Sequence, residues 1–519
     1  MIFSLFSRIR LSCLFLFFLF FFFSNNLGAE VSIPSVPGPI EVTSDSYPFC
    51  AANRSVVPQD LNKCGYVEEE YFVSGKANVY DFDDTGKVIV VTPDAPYTTR
   101  ILIRRPRSKH DFSGNVIIEM MNSTILYDVD LMWMFCNEYF INHRDIWIGI
   151  TIKPIAAKAL KKFDTKRYAP ISWANPVTPE KRCPVPSDIT WDTTDETENG
   201  LAWDIMSQVG ALARENNRKN PLSGYNVERV YATGYSQSAG YLVTYINFIR
   251  PLPYSVLKNG KPIYDGYMVG DGDAVARRLN QCSPAFKYED PRIIIKSRPE
   301  PVISVVSQSL AGLSLNVRRE DSDSPDDRYR CYEIAGAPHA NDKTVDLFLN
   351  PDDIVKAGLQ PFENVCIEVK KYELSDFPFE YFLNGAFANL DAWVKSNIIP
   401  PRAPRMVVKD KIENEYFGAK LGQYDNAIGG LRTPYLDVPV ASYYSGSTGV
   451  DDYTNFICGI TGYKVPFEKE VIKKLYKTRE EFLSKVNKMV DSLVRERFII
   501  KEDGEKIKRE AEELKAWMD

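Results

Sequence analysis

The stretch Val227–Arg250, VERVYATGYSQSAGYLVTYINFIR, sets a tight Gly-Tyr-Ser-Gln-Ser turn between a β-rich run and a helical pattern. Val227, Val230 and Ala232 are interleaved with charged and aromatic residues and predict a strand, whereas Tyr241, Leu242, Tyr245, Ile246 and Ile249 recur at helical spacing. Ser236 falls between the two, on the sharp strand-to-helix turn that holds a nucleophile's hydroxyl exposed at a sheet edge. Gly234 and Ser238 keep bulk away from that crowded backbone. Ser238 stands where a second glycine is usual in G-x-S-x-G, and its small side chain still permits the turn. The bland alternative is an ordinary turn with a helix-capping serine; the strand before it and the helix after it favour the nucleophile elbow.

Outward from the elbow, apolar strands alternate with helical patterns. Upstream, Asn115 to Met121 (NVIIEMM) and Asp145 to Ile152 (DIWIGITI) are nearly continuous apolar runs, with a helical pattern from Val129 to Ile141 between them. A helix is expected from Leu201 to Glu215; after the elbow come strands at Tyr264 to Val269, Pro301 to Val306 and Tyr329 to Ile334, then a helix from Phe379 to Ser396. Strands this apolar are buried on both faces, so the alternation predicts an α/β fold, a mostly parallel central sheet with helices on both faces. Two more strands precede it, Tyr71 to Tyr80 and Thr98 to Arg104, with a turn at Asp83-Asp84-Thr85-Gly86 between them. The Pro-rich run Ile399-Pro400-Pro401-Arg402-Ala403-Pro404 marks a boundary. The expected organisation is a leader at 1–29, a core at 30–400 and a C-terminal extension at 401–519, packed on the core and ending in charged amphipathic helices from Glu468 onward.

An elbow serine needs a base, and the base needs an orienting acid. In chains with this turn the nucleophile is followed by a carboxylate and then by a histidine. Only three histidines are present. His110 in a basic loop and His143 at a helix end both precede Ser236 and read as surface or capping residues. His339 follows the strand ending at Ile334 and has the position of the general base. The oxyanion formed on attack needs two donors: the backbone N–H of Gln237, directly after the nucleophile, and a group of Asn122 or Ser123, which open the loop after Met121. The acid has several candidates. Ser307-Gln308-Ser309-Leu310, after the strand ending at Val306, holds no carboxylate. Asp271, after the strand ending at Val269, ranks first, with Asp273, Glu320, Asp321 and Asp323 as alternatives. Tyr127 and Trp133, in and after the oxyanion loop, fit either an apolar acyl pocket or the core.

The rest of the chain narrows the class. Arg8 and Arg10 precede an apolar run from Leu11 to Phe23 and a small-residue site ending at Ala29, the pattern of a secretory signal peptide. That run is short for a membrane span, which takes about 20 apolar residues, so an exported protein without stable membrane insertion is expected, with an uncleaved signal anchor as the alternative. With 63 Lys and Arg against 69 Asp and Glu, the net charge is −6 and no basic stripe points to nucleic acid. Of nine cysteines, Cys13 lies in the leader and the rest are even in number, as suits an oxidising compartment. Cys50 with Cys64 is the first disulfide candidate and Cys183 with Cys282 the second, while Cys331 fits a buried free thiol. Asn53-Arg54-Ser55 and Asn122-Ser123-Thr124 are N-glycosylation sequons. With neither C-x-x-C nor H-E-x-x-H in the chain, no metal or cofactor is expected.

Four segments carry a family resemblance: Gly65 to Gly75 (GYVEEEYFVSG), the elbow GYSQSAGYLVTYIN, Arg318 to His339 (RREDSDSPDDRYRCYEIAGAPH) and Gly462 to Phe467 (GYKVPF). Together they resemble the poorly characterised α/β-hydrolase domain-containing proteins of bacteria and eukaryotes, over nearly all of the chain after the leader. The resemblance implies an α/β-hydrolase fold that includes the C-terminal helices, and a serine hydrolase acting on a carboxylic ester. Members often carry Glu or Asp near the position of Gln308 to Leu310, and this chain does not. The expected function is therefore a secreted serine esterase with an acyl-enzyme on Ser236 and a small-molecule or lipid-like ester as substrate. A catalytically weak binding protein of the same fold, or an acyltransferase, are the alternatives.

Overall fold

The computed structural model describes residues 30–514 apart from 187–192, 288–289, 347–348, 362–364 and 410–417; the expected leader at 1–29 lies outside the described residues. Nine strands form one sheet in the order β1-β2-β4-β3-β5-β6-β7-β9-β8. They are β1 (Tyr66–Phe82), β2 (Val88–Pro106), β3 (Asn115–Met120), β4 (Ile146–Ile150), β5 (Arg229–Tyr235), β6 (Gly266–Gly270), β7 (Val302–Ser307), β8 (Ser322–Ser324) and β9 (Asp327–Ile334). The middle six, β4-β3-β5-β6-β7-β9, run parallel, and antiparallel pairs close both edges. Every residue of β3, β4, β6 and β7 is buried, which is why those segments read as unbroken apolar runs rather than as alternations.

The long β1–β2 hairpin extends well beyond the two strands expected there. Its turn is made by Asp83, whose Oδ1 accepts hydrogen bonds from Thr85 N–H at 2.9 Å and Lys87 N–H at 3.0 Å. Helices cover both faces of the sheet. On one side, Tyr231 and Tyr235 of β5 meet the helices Leu131–His143 and Phe379–Ser396: Tyr231 donates to Asp391, and the Tyr235 ring lies 4.9 Å from Phe135 and 6.3 Å from Phe379. On the other, the helix Ala202–Arg214 packs against the elbow helix Gln237–Thr244 through Trp203 and Tyr241, 5.3 Å apart. The amphipathic patterns over Leu201 to Glu215 and Phe379 to Ser396 thus form helices with the expected limits. The helix Pro154–Phe163 was not foreseen from the pattern.

Residues after 400 are held against this core. Leu431 extends the end of β9 by donating to Glu333 O at 2.7 Å and accepting from Ala335 N–H at 3.1 Å. The helix Arg479–Arg495 buries Phe482, Val486, Val490 and Leu493 on one face, and Asn384 of the core donates to Asp503 of the last helix, Lys501–Glu513, at 2.8 Å. A second sheet has the order β10-β12-β11, with β10 (Glu373–Leu374), β11 (Ala441–Tyr444) and β12 (Tyr463–Pro466). Strands of two to four residues leave too little periodicity to read beforehand. Among the described residues no helix is long and apolar enough to cross a membrane.

The cysteines correct the first expectation. Cys50 and Cys64 are not bonded: Cys50 is buried, with its thiol donating to Asp128 O at 2.9 Å, and Cys64 lies exposed in a turn. The bonds are Cys183–Cys282, as expected second, and Cys366–Cys458, whose partners stand 92 residues apart and had no local signal. Cys331 is a buried free thiol. Two disulfides fit an extracellular or secretory compartment. Non-reducing peptide mapping is expected to recover these two linked pairs, with Cys64 alkylated in the native protein and Cys50, Cys136 and Cys331 only after denaturation. Replacing both Cys183 and Cys282 by Ser is expected to lower unfolding free energy by about 2–4 kcal/mol in urea melts, because the bond closes a long loop.

Candidate active site

Ser236 links β5 to the elbow helix with φ 59° and ψ −124°, a backbone conformation that a non-glycine residue adopts only when its surroundings impose it. Here the surroundings are crowded. A Cβ on Gly234 would stand 2.6 Å from Ser238 O, and one on Gly272 would stand 2.2 Å from Ser236 O. Ser238 does more than stay small: its Oγ accepts from Tyr235 N–H at 3.0 Å and donates to Tyr235 O at 3.1 Å, closing the turn. The outcome is a partly exposed Ser236 among buried neighbours.

His339 is carried by the loop after β9. Its N–H donates to Ser309 Oγ at 2.7 Å, its carbonyl accepts from the Tyr235 hydroxyl at 2.7 Å, and its ring stacks on Tyr235 with centroids 4.8 Å apart. Because Tyr235 directly precedes Ser236 in the chain, this stacking brings the imidazole to the elbow. Nδ1 of His339 lies 2.5 Å from Oδ2 of Asp271, a residue with no solvent exposure. Asp271 follows β6 at φ 46°, and its Oδ1 accepts from Ser307 N–H at 2.7 Å. The loop after β7, empty of carboxylates, therefore supplies donors and acceptors instead: Ser307 to Asp271, Ser309 to His339, and Gln308 Oε1 to Gly336 N–H at 2.7 Å. Sequence reasoning missed Tyr235, Ser307 and Ser309. Tyr235 lies inside the motif, but nothing local marks a serine that meets a carboxylate through its backbone.

The other acid candidates do not reach the histidine. Asp273 is fully buried with Oδ1 accepting from Ser314 Oγ at 2.6 Å; burial, with the Asp271 charge adding to it, pushes its carboxyl up to about 6. Glu320 is exposed. Asp321 is held by Arg405 at 2.9 Å, and Asp323 by Arg330 at 2.5 Å and Arg402 at 2.6 Å, all at the β8–β9 edge. His110 is exposed, and His143 stacks on Tyr139 at 4.0 Å while its Nδ1 meets Tyr139 O at 2.9 Å.

The loop after β3 runs directly beneath the elbow. Asn122 and Val129 pair through their backbones at 2.9 and 2.7 Å, and Asn122 Nδ2 donates to Tyr235 O at 2.9 Å. With its side-chain amide buried in that bond, Asn122 cannot carry a glycan in the folded protein; Asn53 is exposed. Tyr127 and Trp133 belong to the core rather than to an acyl pocket: Tyr127 packs edge-on to Phe49 at 5.9 Å, and Trp133 packs on Trp147 at 5.4 Å. Among the described residues no group of three or more His, Cys, Asp or Glu is arranged to hold a metal ion.

A family model for the alpha/beta hydrolase domain matches residues 36–509 of this chain. No curated protein matches it. Solved structures it is similar to include a fungal esterase from Rhizomucor miehei (12% identity, 59% of this chain and 83% of that one, TM-score 0.29). A poly(3-hydroxybutyrate) depolymerase from Bordetella parapertussis is another (10% identity, 56% and 92% coverage, TM-score 0.27). A third is a lipase/esterase from Lactobacillus plantarum (11% identity, 41% and 76% coverage, TM-score 0.25).

The raised carboxyl of Asp273 gives a pH signature. The folded state holds this proton up to about pH 6, whereas the unfolded chain releases it near 3.8, so the folded state binds more protons in that window and loses stability as pH rises through it. The Asp273→Asn variant is expected to lack that loss, gaining on the parent between pH 4 and pH 7 in urea melts. A constant difference across the window would contradict it.

Proposed function

The chain belongs to the alpha/beta hydrolase domain family, and from that premise we propose that it is a secreted serine hydrolase of carboxylic esters that works through an acyl-enzyme on Ser236. The observation that carries this is the constellation at one end of the sheet: a partly exposed serine at φ 59°, and a histidine whose Nδ1 lies 2.5 Å from a buried aspartate. With the Nδ1 proton directed at Asp271, the lone pair of His339 Nε2 is left for the serine. Ser236 Oγ attacks the ester carbonyl as its proton passes to Nε2. The tetrahedral oxyanion takes hydrogen bonds from the N–H of Gln237, which as the first residue of its helix precedes any i−4 acceptor, and from the loop at Asn122–Ser123. The imidazolium, held by Asp271, returns the proton to the departing alkoxide. Water then repeats the sequence on the acyl-enzyme, releasing the acid and freeing Ser236.

In this reading the acid is Asp271, one strand before the carboxylate-free loop after β7, and its 2.5 Å contact with His339 Nδ1 supports that role. Export through the leader at 1–29 is part of the proposal, with Asn53 as the glycosylation site and a small or lipid-like ester as substrate. Incubation with a fluorophosphonate followed by mass analysis is expected to find the adduct on Ser236, and none in Ser236→Ala. With nitrophenyl esters, Asp271→Asn is expected to lower kcat by about 10³–10⁴-fold, while Asp321→Asn stays near the parent. An unlabelled Ser236, with His339→Ala behaving like the parent, would sink the enzyme.

A further inference from the structure

The loop opposite Ser236 offers few free donors. Asn122 N–H is engaged by Val129 O at 2.9 Å, Thr124 N–H by Asn122 Oδ1 at 2.8 Å, and Asn122 Nδ2 by Tyr235 O at 2.9 Å. Each of those acceptors is a backbone carbonyl or belongs to a closed local turn, so none yields without refolding the loop. Ser123 differs. Its N–H meets the side-chain oxygen of Gln237 at 3.3 Å, and its Oγ meets the same oxygen at 3.4 Å. These are long hydrogen bonds, beyond the usual range for an N–H to oxygen contact, and their acceptor sits on a flexible side chain. Ser123 is itself fully buried and Gln237 is nearly so, so no solvent competes for this donor.

Gln237 thus bears on the proposed oxyanion site in two ways. Its backbone N–H is the proposed first oxyanion donor, and its carboxamide oxygen lies on the N–H that would be the second. A carboxamide oxygen is sp² and carries partial negative charge, as does the carbonyl oxygen of an ester, so the two compete for the same donor. We propose that the Gln237 side chain is a displaceable plug of the oxyanion site: Ser123, rather than Asn122, supplies the second donor, and the substrate carbonyl gains it by displacing the carboxamide. The residue after the nucleophile thereby sets KM, and an empty site keeps its buried donor hydrogen-bonded. This inference rests on the serine hydrolase function proposed above.

Gln237→Ala removes the plug and keeps the backbone N–H. On a short-chain nitrophenyl ester it is expected to lower KM by about three- to tenfold, the factor one neutral hydrogen bond is worth, and to raise kcat/KM by the same factor. Fluorophosphonate labelling of Ser236 is expected to accelerate in parallel. Gln237→Glu puts a stronger, ionisable acceptor on Ser123, so its KM relative to the parent at the same pH is expected to rise between pH 4 and pH 8. A plug is overturned if Gln237→Ala instead lowers kcat at unchanged KM, which would make the carboxamide a brace for the loop, or if neither constant moves in a parent that labels. A parent whose Ser236 does not label at all overturns the hydrolase function together with the plug, so the two failures are told apart by the parent alone.

Discussion

One buried carboxylate ties the ends of four neighbouring strands together. Asp271, at the end of β6, accepts from the backbone of Ser307 at the end of β7 and bonds His339 in the loop after β9. Tyr235 at the end of β5 donates its hydroxyl to His339 O at 2.7 Å, lies 3.4 Å from Asp271 Oδ2, and then turns the chain into Ser236. A carboxylate without solvent is tolerable only when its oxygens are hydrogen-bonded or paired, so the neighbours that satisfy Asp271 are thereby fixed relative to the elbow. Ser236 and Asp271 both have positive φ, and Gly272 packs against Ser236 O, where a Cβ would stand 2.2 Å away.

A second set of buried charges holds the other lip of the site. Arg100 and Arg104 lie four residues apart on β2 and share one face of it. Arg100 reaches Glu70 at 2.7 Å and Asp128 at 2.9 Å; Arg104 reaches Glu68 at 2.7 Å and bonds Asp130, with its guanidinium 4.6 Å from the ring centres of both Trp133 and Trp147. Glu119 at the end of β3 accepts from Met132 N–H at 2.8 Å and Trp133 N–H at 3.0 Å, the unpaired N-terminal donors of the following helix. The loop that contains Asn122 and Ser123 is therefore pinned at Asp128, at Asp130 and at the helix start, and the arginines also bind the carbonyls of Phe49 and Cys50. In that setting the Cys50 thiol donates to Asp128 O rather than bonding Cys64. Removing one partner of such a pair costs about 3–5 kcal/mol, since the other is left buried and uncompensated.

Much of this was legible in the order of residues. Parallel central strands such as NVIIEM and VISVVS are apolar throughout because both faces are covered, so their positions follow from composition alone. The helix Phe379–Ser396 follows from spacing. The short strands of the second sheet had no such signature; they pair with one another, and beside them Gly462 N–H donates to Ala340 O and Ser375 N–H to Gly462 O, at 3.0 Å each, next to the histidine loop. Arg100 and Arg104 fall in the strand expected from Thr98 to Arg104, but their acidic partners lie in other segments and had no local signal.

What the sequence by itself determined is the local part: the elbow, its serine, the parallel α/β architecture, and His339 as the one histidine downstream of the nucleophile. Turn strain and periodicity are short-range properties, set by residues a few positions apart. Only the tertiary structure decided which aspartate stands behind that histidine and which cysteines pair. Asp271 and His339 are 68 residues apart, Cys183 and Cys282 are 99 apart, and Gln237 meets Ser123 across 114. Such contacts depend on where separate strand ends are brought together, and neither composition nor spacing encodes that meeting at any one place in the chain.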